Sequence, residues 1–329
     1  MRIVFIGTPA FAVPTLEAIH QKGHEILAVF AQPDRPSGRG RSIAFSPVKQ
    51  RALELNLPVC QPATLKTLPT HSGEGHASHT QGGPIQTISN LKPDVLVVVA
   101  YGLLLPQNIL DIPKHGAVNL HPSLLPKYRG AAPINYALLK GDKVTGITSV
   151  LMNSKMDAGD IILQEEAPIE ADENAGELES RLAKLGADLI VRSLEVMKAG
   201  RPEFRKQDES LVTFAPKLSP ADGQIDWKRT SAEIQNQVRG MTPKPGAFAM
   251  FKEKRLEILE TRPENGKRKT ENESLPGRIV SVGKDKGPVI KTGDGAVILL
   301  KVKPQGKKEM SGRAFVNGYR IAPGQSLGQ

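Results

Sequence analysis

Only one cysteine, Cys60, occurs in the 329 residues. That excludes an intramolecular disulfide and any multi-cysteine zinc site, and it fits the reducing cytoplasm. Aromatic residues are scarce at 4%, which argues against a surface built to stack bases. Long apolar runs are missing too. The longest, Val95 to Leu105, contains Gly102 and falls short of the ~20 residues that cross a bilayer. The run after Met1-Arg2, I-V-F-I-G, is too short for the core of a signal peptide and reads as a first buried strand. A soluble, cytoplasmic chain without a targeting segment or membrane contact is expected. Finally, there is no G-x-G-x-x-G loop; the first turn holds Gly7 alone, so no nicotinamide cofactor is expected.

What is present is ordinary in amount and uneven in placement. Apolar content is 39% and charged content 24%, as in globular proteins, and the length allows two domains. The net charge is +10. Residues 222–329 carry 21 Lys+Arg against 12 Asp+Glu, whereas residues 1–221 carry 23 against 22. A basic last third on a nearly neutral remainder reads either as a surface for a polyanion or as a solvated lysine-rich face.

Arg2 to Gly7 predicts a strand, Phe11 to Gln21 a helix closed by Gly23, and Glu25 to Ala31 a second strand. This βαβ spacing implies a parallel sheet with right-handed crossovers. Gln32 to Lys49 is expected to be a long loop, with Arg35, Arg39, Arg41 and Lys49 and with glycines on both sides of Arg39. Loops of this length are functional or merely solvated. Helix Val48 to Leu55 and strand Leu57 to Cys60 follow. Residues 69–84 then turn to Gly, Ser, Thr and His. His71, His76 and His79 lack cysteine or carboxylate support beyond Glu74, so the stretch reads as a surface loop and no metal is expected.

Further strands are expected at Asp94 to Tyr101, Ala117 to His121, Thr145 to Met152 and Ile161 to Pro168, and a long helix at Asn174 to Met197. After a polar stretch with three prolines, short alternating runs separated by turns predict about five strands of a small OB-like β-barrel. The expected division is 1–202, a linker at 203–221, and 222–329. Residues 262–274 form a charged excursion within the last part.

The centre of the chain is V-N-L-H-P-S-L-L-P-K-Y-R-G-A-A-P, Val118 to Pro133. Asn119 and His121 alternate with Val118 and Leu120, so on a strand they share a face. Pro122 and Pro126 then stop the strand. A polar pair at the carboxyl end of a buried strand is where open α/β sheets place ligands.

N-x-H-P-S-L-L-P followed by R-G-A-A-P-I, with Asp157 in M-D-A-G-D further on, resembles the folate-dependent formyltransferases, and among them the branch acting on methionyl initiator tRNA. The resemblance implies an α/β fold, a Rossmann-like parallel-sheet formyltransferase domain followed by the small barrel. It implies transfer of a formyl group from 10-formyltetrahydrofolate, the donor cosubstrate, to the α-amine of methionine on that tRNA. It maps the catalytic set onto Asn119, His121 and Asp157. Ser123, Leu124, Leu125 and Pro126, with Tyr101, Gly102, Leu103 and Leu105, would hold the folate, and Met156 to Asp160 would line its pterin. The D-R-P-x-G-R-G loop implies tRNA contact by Arg39, with Arg41 and Lys49 as further phosphate contacts. A monomer is expected.

Chemically, formyl transfer is acyl transfer to a neutral amine. It needs a donor for the developing oxyanion and a destination for one proton. Asn119 offers an amide N–H that cannot ionise. His121 can give or take a proton, and Asp157 can fix its tautomer or take the proton through a water. No covalent nucleophile is required, so Cys60 has no role. The catalytic set alone would equally serve an enzyme formylating a sugar nucleotide or glycinamide ribotide. The arginine loop and the basic last third favour tRNA over that reading. The Asn-His-Asp set weighs against a non-enzymatic RNA-binding module.

Overall fold

The computed structural model describes residues 1–37, 42–65, 83–200, 204–264, 275–283 and 287–328. The chain forms two compact units. One comprises Met1–Gly130, Gly146–Ala167 and Glu179–Phe214, the other Ala131–Thr145, Pro168–Leu178 and Ala215–Gln329.

The first unit is built on a seven-stranded sheet. Its spatial order is Asp160–Pro168, Val144–Leu151, Ala117–His121, Val95–Val99, Arg2–Gly7, Glu25–Phe30 and Val59–Cys60. From Ala117–His121 to Val59–Cys60 neighbouring strands run parallel, while Val144–Leu151 pairs antiparallel with Ala117–His121. Val95 to Val99 is buried throughout, as a strand covered on both faces must be. One face carries a core of Val4, Ile6, Phe30, Val98, Tyr101 and Ile109. Helix Ala175–Lys198 comes so close to the sheet that a Cβ at Gly186 would lie 2.5 Å from Leu120 and 2.6 Å from Ile147.

One expectation differs from the structure. The Gln32 to Lys49 stretch is not loop throughout: Arg35–Ser37 pairs antiparallel with Ser42–Ala44. Helix Pro47–Glu54 then starts on Ser46, whose hydroxyl accepts from the Lys49 N–H, with proline where a missing N–H costs nothing. Part of the stretch expected as a linker, up to Phe214, groups with the first unit. Arg205 bridges Ile161 through both backbone groups, at 2.8 and 3.0 Å.

The second unit holds an antiparallel sheet of order Ala247–Phe251, Lys254–Pro263, Ala296–Pro304, Gly287–Lys291, Ile279–Gly283, with Met310–Ser311 added to Ala296–Pro304. The last residues join its two edges. Gly328 exchanges hydrogen bonds with Met250, and Leu327 and Gln325 bond to Gly277 and Ile279. Trp227, Ile258, Leu299 and Phe315 fill the interior, and Phe251 and Phe315 meet edge to face at 5.4 Å. Helix Ser231–Met241 opens with a reciprocal Thr230–Glu233 capping box. Helix Gly312–Tyr319, capped by the Ser311 hydroxyl, has no counterpart among the sequence expectations. Within the described residues no helix is long and apolar enough to cross a membrane.

Candidate active site

The parallel strands Val95–Val99 and Ala117–His121 end at the same edge of the sheet. Their loops, 100–105 and 122–126, therefore open side by side. Asn119 sits beside Val98 in register, and Ala117, two residues earlier, packs with Val98, Tyr101 and Leu105. Asn119 and His121 thus share the face that carries this core. Asn119 is half-buried, and its amide makes no hydrogen bond to another described residue.

His121 is 4% exposed. Its Nε2 lies 2.9 Å from the Tyr128 carbonyl oxygen. A carbonyl only accepts, so Nε2 carries the hydrogen and in the neutral ring Nδ1 is bare. That Nδ1 faces Asp157 Oδ1 at 3.6 Å. The other carboxylate oxygen, Oδ2, accepts from the Gly130 N–H at 2.9 Å. Asp157 itself has φ 51° and Tyr128 φ 62°, a left-handed backbone that non-glycine residues adopt only under constraint. Gly159 completes the turn, because a Cβ there would stand 1.8 Å from the Leu151 carbonyl oxygen. The structure therefore brings His121 and Asp157 together, with Asn119 one pleat away on the same strand face.

The residues expected around folate fall into two groups. Ser123 and Leu125 are buried and already engaged. The Ser123 hydroxyl donates to the Lys127 carbonyl at 2.6 Å, and the Thr148 hydroxyl donates to the Ser123 carbonyl at 2.6 Å. Leu125 N–H donates to Thr148 Oγ1, and its carbonyl accepts from Gln164 Nε2. These contacts hold the loop and leave Leu124 and Pro126, both half-buried, as its presented surface. On the other loop Leu105 is buried, whereas Leu103 and its neighbour Leu104 are exposed, as is Met156. Gly102 takes φ +83°. The Tyr101 side chain is buried with no hydrogen-bond partner for its hydroxyl among the described residues, and burial pushes its phenol up from the ordinary value.

Arg39 and Arg41 lie outside the described residues. Lys49 is placed differently from a free phosphate contact. Its ammonium is 2.5 Å from Asp34 Oδ2, 2.7 Å from Gln61 Oε1, and 4.0 Å from the centre of the Phe45 ring. Gln61 Nε2 also donates to Asp34 Oδ1 and to the Gln32 carbonyl. The hydrogen bond from Lys49 holds the Asp34 carboxyl below its ordinary value. Lys49 thus ties down Asp34, the residue before strand Arg35–Ser37, and its ammonium is engaged within the chain. Cys60 is half-buried, and burial pushes its thiol up, away from nucleophilic thiolate character.

Sequence reasoning assigns no role to Arg129 or Gln207. Arg129 Nη1 and Nη2 reach the Glu209 carboxylate at 3.2 and 2.8 Å, and Nε and Nη2 reach Gln207 Oε1 at 3.1 and 2.8 Å. Gln207 Nε2 donates to the carbonyls of Asp157 and Gly159 at 2.8 and 2.7 Å. Arg129 stands in the R-G-A-A-P motif, but Gln207 falls in a polar stretch with no periodicity, and nothing there marks it.

The chain is similar to known proteins over nearly its whole length. The family described as "Formyl transferase" matches residues 1–194, and "Formyl transferase, C-terminal domain" matches residues 217–320. A methionyl-tRNA formyltransferase of Fusobacterium nucleatum is 43% identical over 327 residues, covering 99% of this chain and 100% of that protein. One from Geobacter sulfurreducens is 40% identical over 331 residues, 100% of this chain and 97% of that one. The crystal structure of WlaRD, a sugar 3N-formyl transferase studied with dTDP and 5-N-formyl-THF, shares the fold at TM-score 0.65 and 18% identity, over 94% of this chain and 99% of its own.

Proposed function

The chain belongs to the formyl transferase family, both of whose domains it carries in order, and on that premise we propose how its residues perform the transfer. It moves a formyl group from a folate-derived donor to the α-amine of methionine on initiator tRNA. We assign the donor as 10-formyltetrahydrofolate, which supplies the formyl carbon on an aryl-substituted nitrogen that can leave.

The neutral methionyl amine attacks the formyl carbon. A C–N bond forms there, the bond to the folate nitrogen breaks, and one proton passes from the amine toward the departing nitrogen. Asn119 donates its amide N–H to the formyl oxygen as negative charge builds there. His121 takes the proton at Nδ1, the bare nitrogen that faces Asp157, and the resulting imidazolium is stabilised by that carboxylate before it passes the proton to the departing folate nitrogen. The observation that carries this reading is the two-sided hold on His121, by Tyr128 at Nε2 and Asp157 at Nδ1. Loops 101–105 and 123–126 would hold the folate, through Leu124, Pro126 and the exposed Leu103, with Tyr101, Gly102, Ser123 and Leu125 shaping the backbone between.

For the tRNA, we assign Arg39 and Arg41 as contacts and Lys49, which pairs with Asp34, as a support for the stretch that carries them. Residues 222–329, with exposed Lys307 and Lys308, serve as the basic phosphate-facing domain, and residues 1–202 as the catalytic region. The lone, half-buried cysteine accords with a cytoplasmic protein, and we assign a monomer.

The test is transfer of labelled formyl from 10-formyltetrahydrofolate with three acceptors in parallel: methionyl initiator tRNA, free methionine and an amino-sugar nucleotide. Label on the charged tRNA alone supports the reading. Label on the sugar nucleotide in preference to the tRNA overturns it.

A further inference from the structure

Segment 204–213 lies between the two family matches, at residues 1–194 and 217–320, and the sequence offers it only as a linker. Its side chains nonetheless bond to the backbone of the two residues that face the nitrogens of His121, the carbonyl of Asp157 and the N–H of Tyr128. Gln207 uses its whole amide. The N–H₂ group spans the carbonyls of Asp157 and Gly159, and the oxygen takes two N–H groups of Arg129. Arg129, 6% exposed, is fixed at its far end by Glu209. The residue after it, Gly130, donates its N–H to Asp157 Oδ2. Thr213 closes the other side: its hydroxyl accepts from the Tyr128 N–H at 2.8 Å, and its carbonyl accepts from the Arg129 N–H at 2.9 Å.

Tyr128 and Asp157 are the two partners of His121, and both sit in left-handed backbone. Such strain persists only where neighbouring contacts over-determine it. Here those contacts come from Gln207 and Thr213. We infer that Gln207 is a positioning residue of the reaction, holding the Asp157 turn so that its carboxylate faces His121 Nδ1, with Arg129 orienting Gln207. This rests on the proposed roles of His121 and Asp157.

The effect should be on turnover and not on substrate binding. A small misplacement of a reacting group can cost ~10²-fold in rate, whereas the surfaces assigned to folate and tRNA are not built from Gln207. Two variants of the full chain test this. Gln207→Leu removes every polar contact. Gln207→Glu keeps an oxygen for Arg129 but has no donor for the two carbonyls. Both are compared with Asp157→Asn, and Gln207→Leu is also combined with it.

The expected result is a fall in kcat of about 10- to 100-fold for both Gln207 variants. KM for tRNA should stay within about twofold, and the double variant should be no slower than Asp157→Asn alone. Wild-type kcat in Gln207→Glu overturns the inference, since that variant retains the bond to Arg129 and lacks only the positioning donor. Full additivity in the double variant also overturns it, because Gln207 would then act independently of Asp157. If Asp157→Asn itself keeps wild-type kcat, the site reading fails and the inference with it, an outcome distinct from the first two.

Discussion

His121 Nδ1 faces Asp157 Oδ1 at 3.6 Å, while the opposite ring nitrogen donates to the Tyr128 carbonyl. In the neutral ring this sets a lone pair toward a carboxylate, an arrangement that becomes attractive when a proton arrives at Nδ1. The pair is thus arranged for the protonated state of the ring, which is the state a proton acceptor reaches during amine attack. Asn119, on the same strand face, adds a donor that cannot ionise.

Asn119→Ala should lower kcat by ~10²–10³-fold, the usual cost of one oxyanion donor. KM for tRNA should change little, because Asn119 acts where charge develops. Steady-state kinetics with varied tRNA check this; an effect confined to KM would remove Asn119 from the reacting centre.

The Asp34 carboxyl should titrate below the ordinary carboxylate range, because Lys49 donates to it. Its folded value lies below the unfolded one, so its contribution to stability is present above the unfolded value and is lost as pH falls through the folded one. A carbon-detected NMR titration reads the midpoint. Lys49→Met should return it toward ordinary values, and an unmoved midpoint would contradict the ion pair.

Paired substitution of Lys307 and Lys308 by alanine should weaken tRNA affinity and reduce the salt slope by about one unit for each phosphate no longer neutralised. Arg39→Ala should impair tRNA use far more than folate binding. Affinity measured across a salt series separates the two assignments. An unaltered slope in the lysine variant would show those charges to be solvated bystanders.

Thr230→Ala removes the hydroxyl that caps helix Ser231–Met241 and should cost about 1 kcal/mol. The one tryptophan, Trp227, is buried in the core of the same unit. Its fluorescence therefore reports that unit's urea transition, whose midpoint should fall. An unchanged midpoint would show the capping box to be inert.

The parallel strands and the Asn119–His121 face are legible in the sequence because both follow from alternation and from the prolines that end the strand. Asp157 is legible through its glycine-flanked turn and the family motif. The two-residue spacing also places His121 correctly relative to Asn119. What is not legible is long-range. Lys49 reads as a free charge until Asp34, fifteen residues away, is seen beside it. Gln207 reads as linker until it is found fifty residues from the carbonyl of Asp157 that it holds. Helix Gly312–Tyr319 is hidden for a local reason: Gly312 and Gly318 lower its propensity, and packing of Phe315 into the core supplies what propensity does not.

The most direct test of the account is single-turnover formyl transfer to methionyl initiator tRNA by wild-type chain and by His121→Gln, with enzyme in excess over tRNA. Glutamine can still donate to the Tyr128 carbonyl but cannot carry the proton. The account predicts that tRNA and folate bind as before while the transfer rate falls by at least ~10²-fold, the scale of general acid–base catalysis. A rate within about twofold of wild type would contradict it and would place the proton acceptor elsewhere.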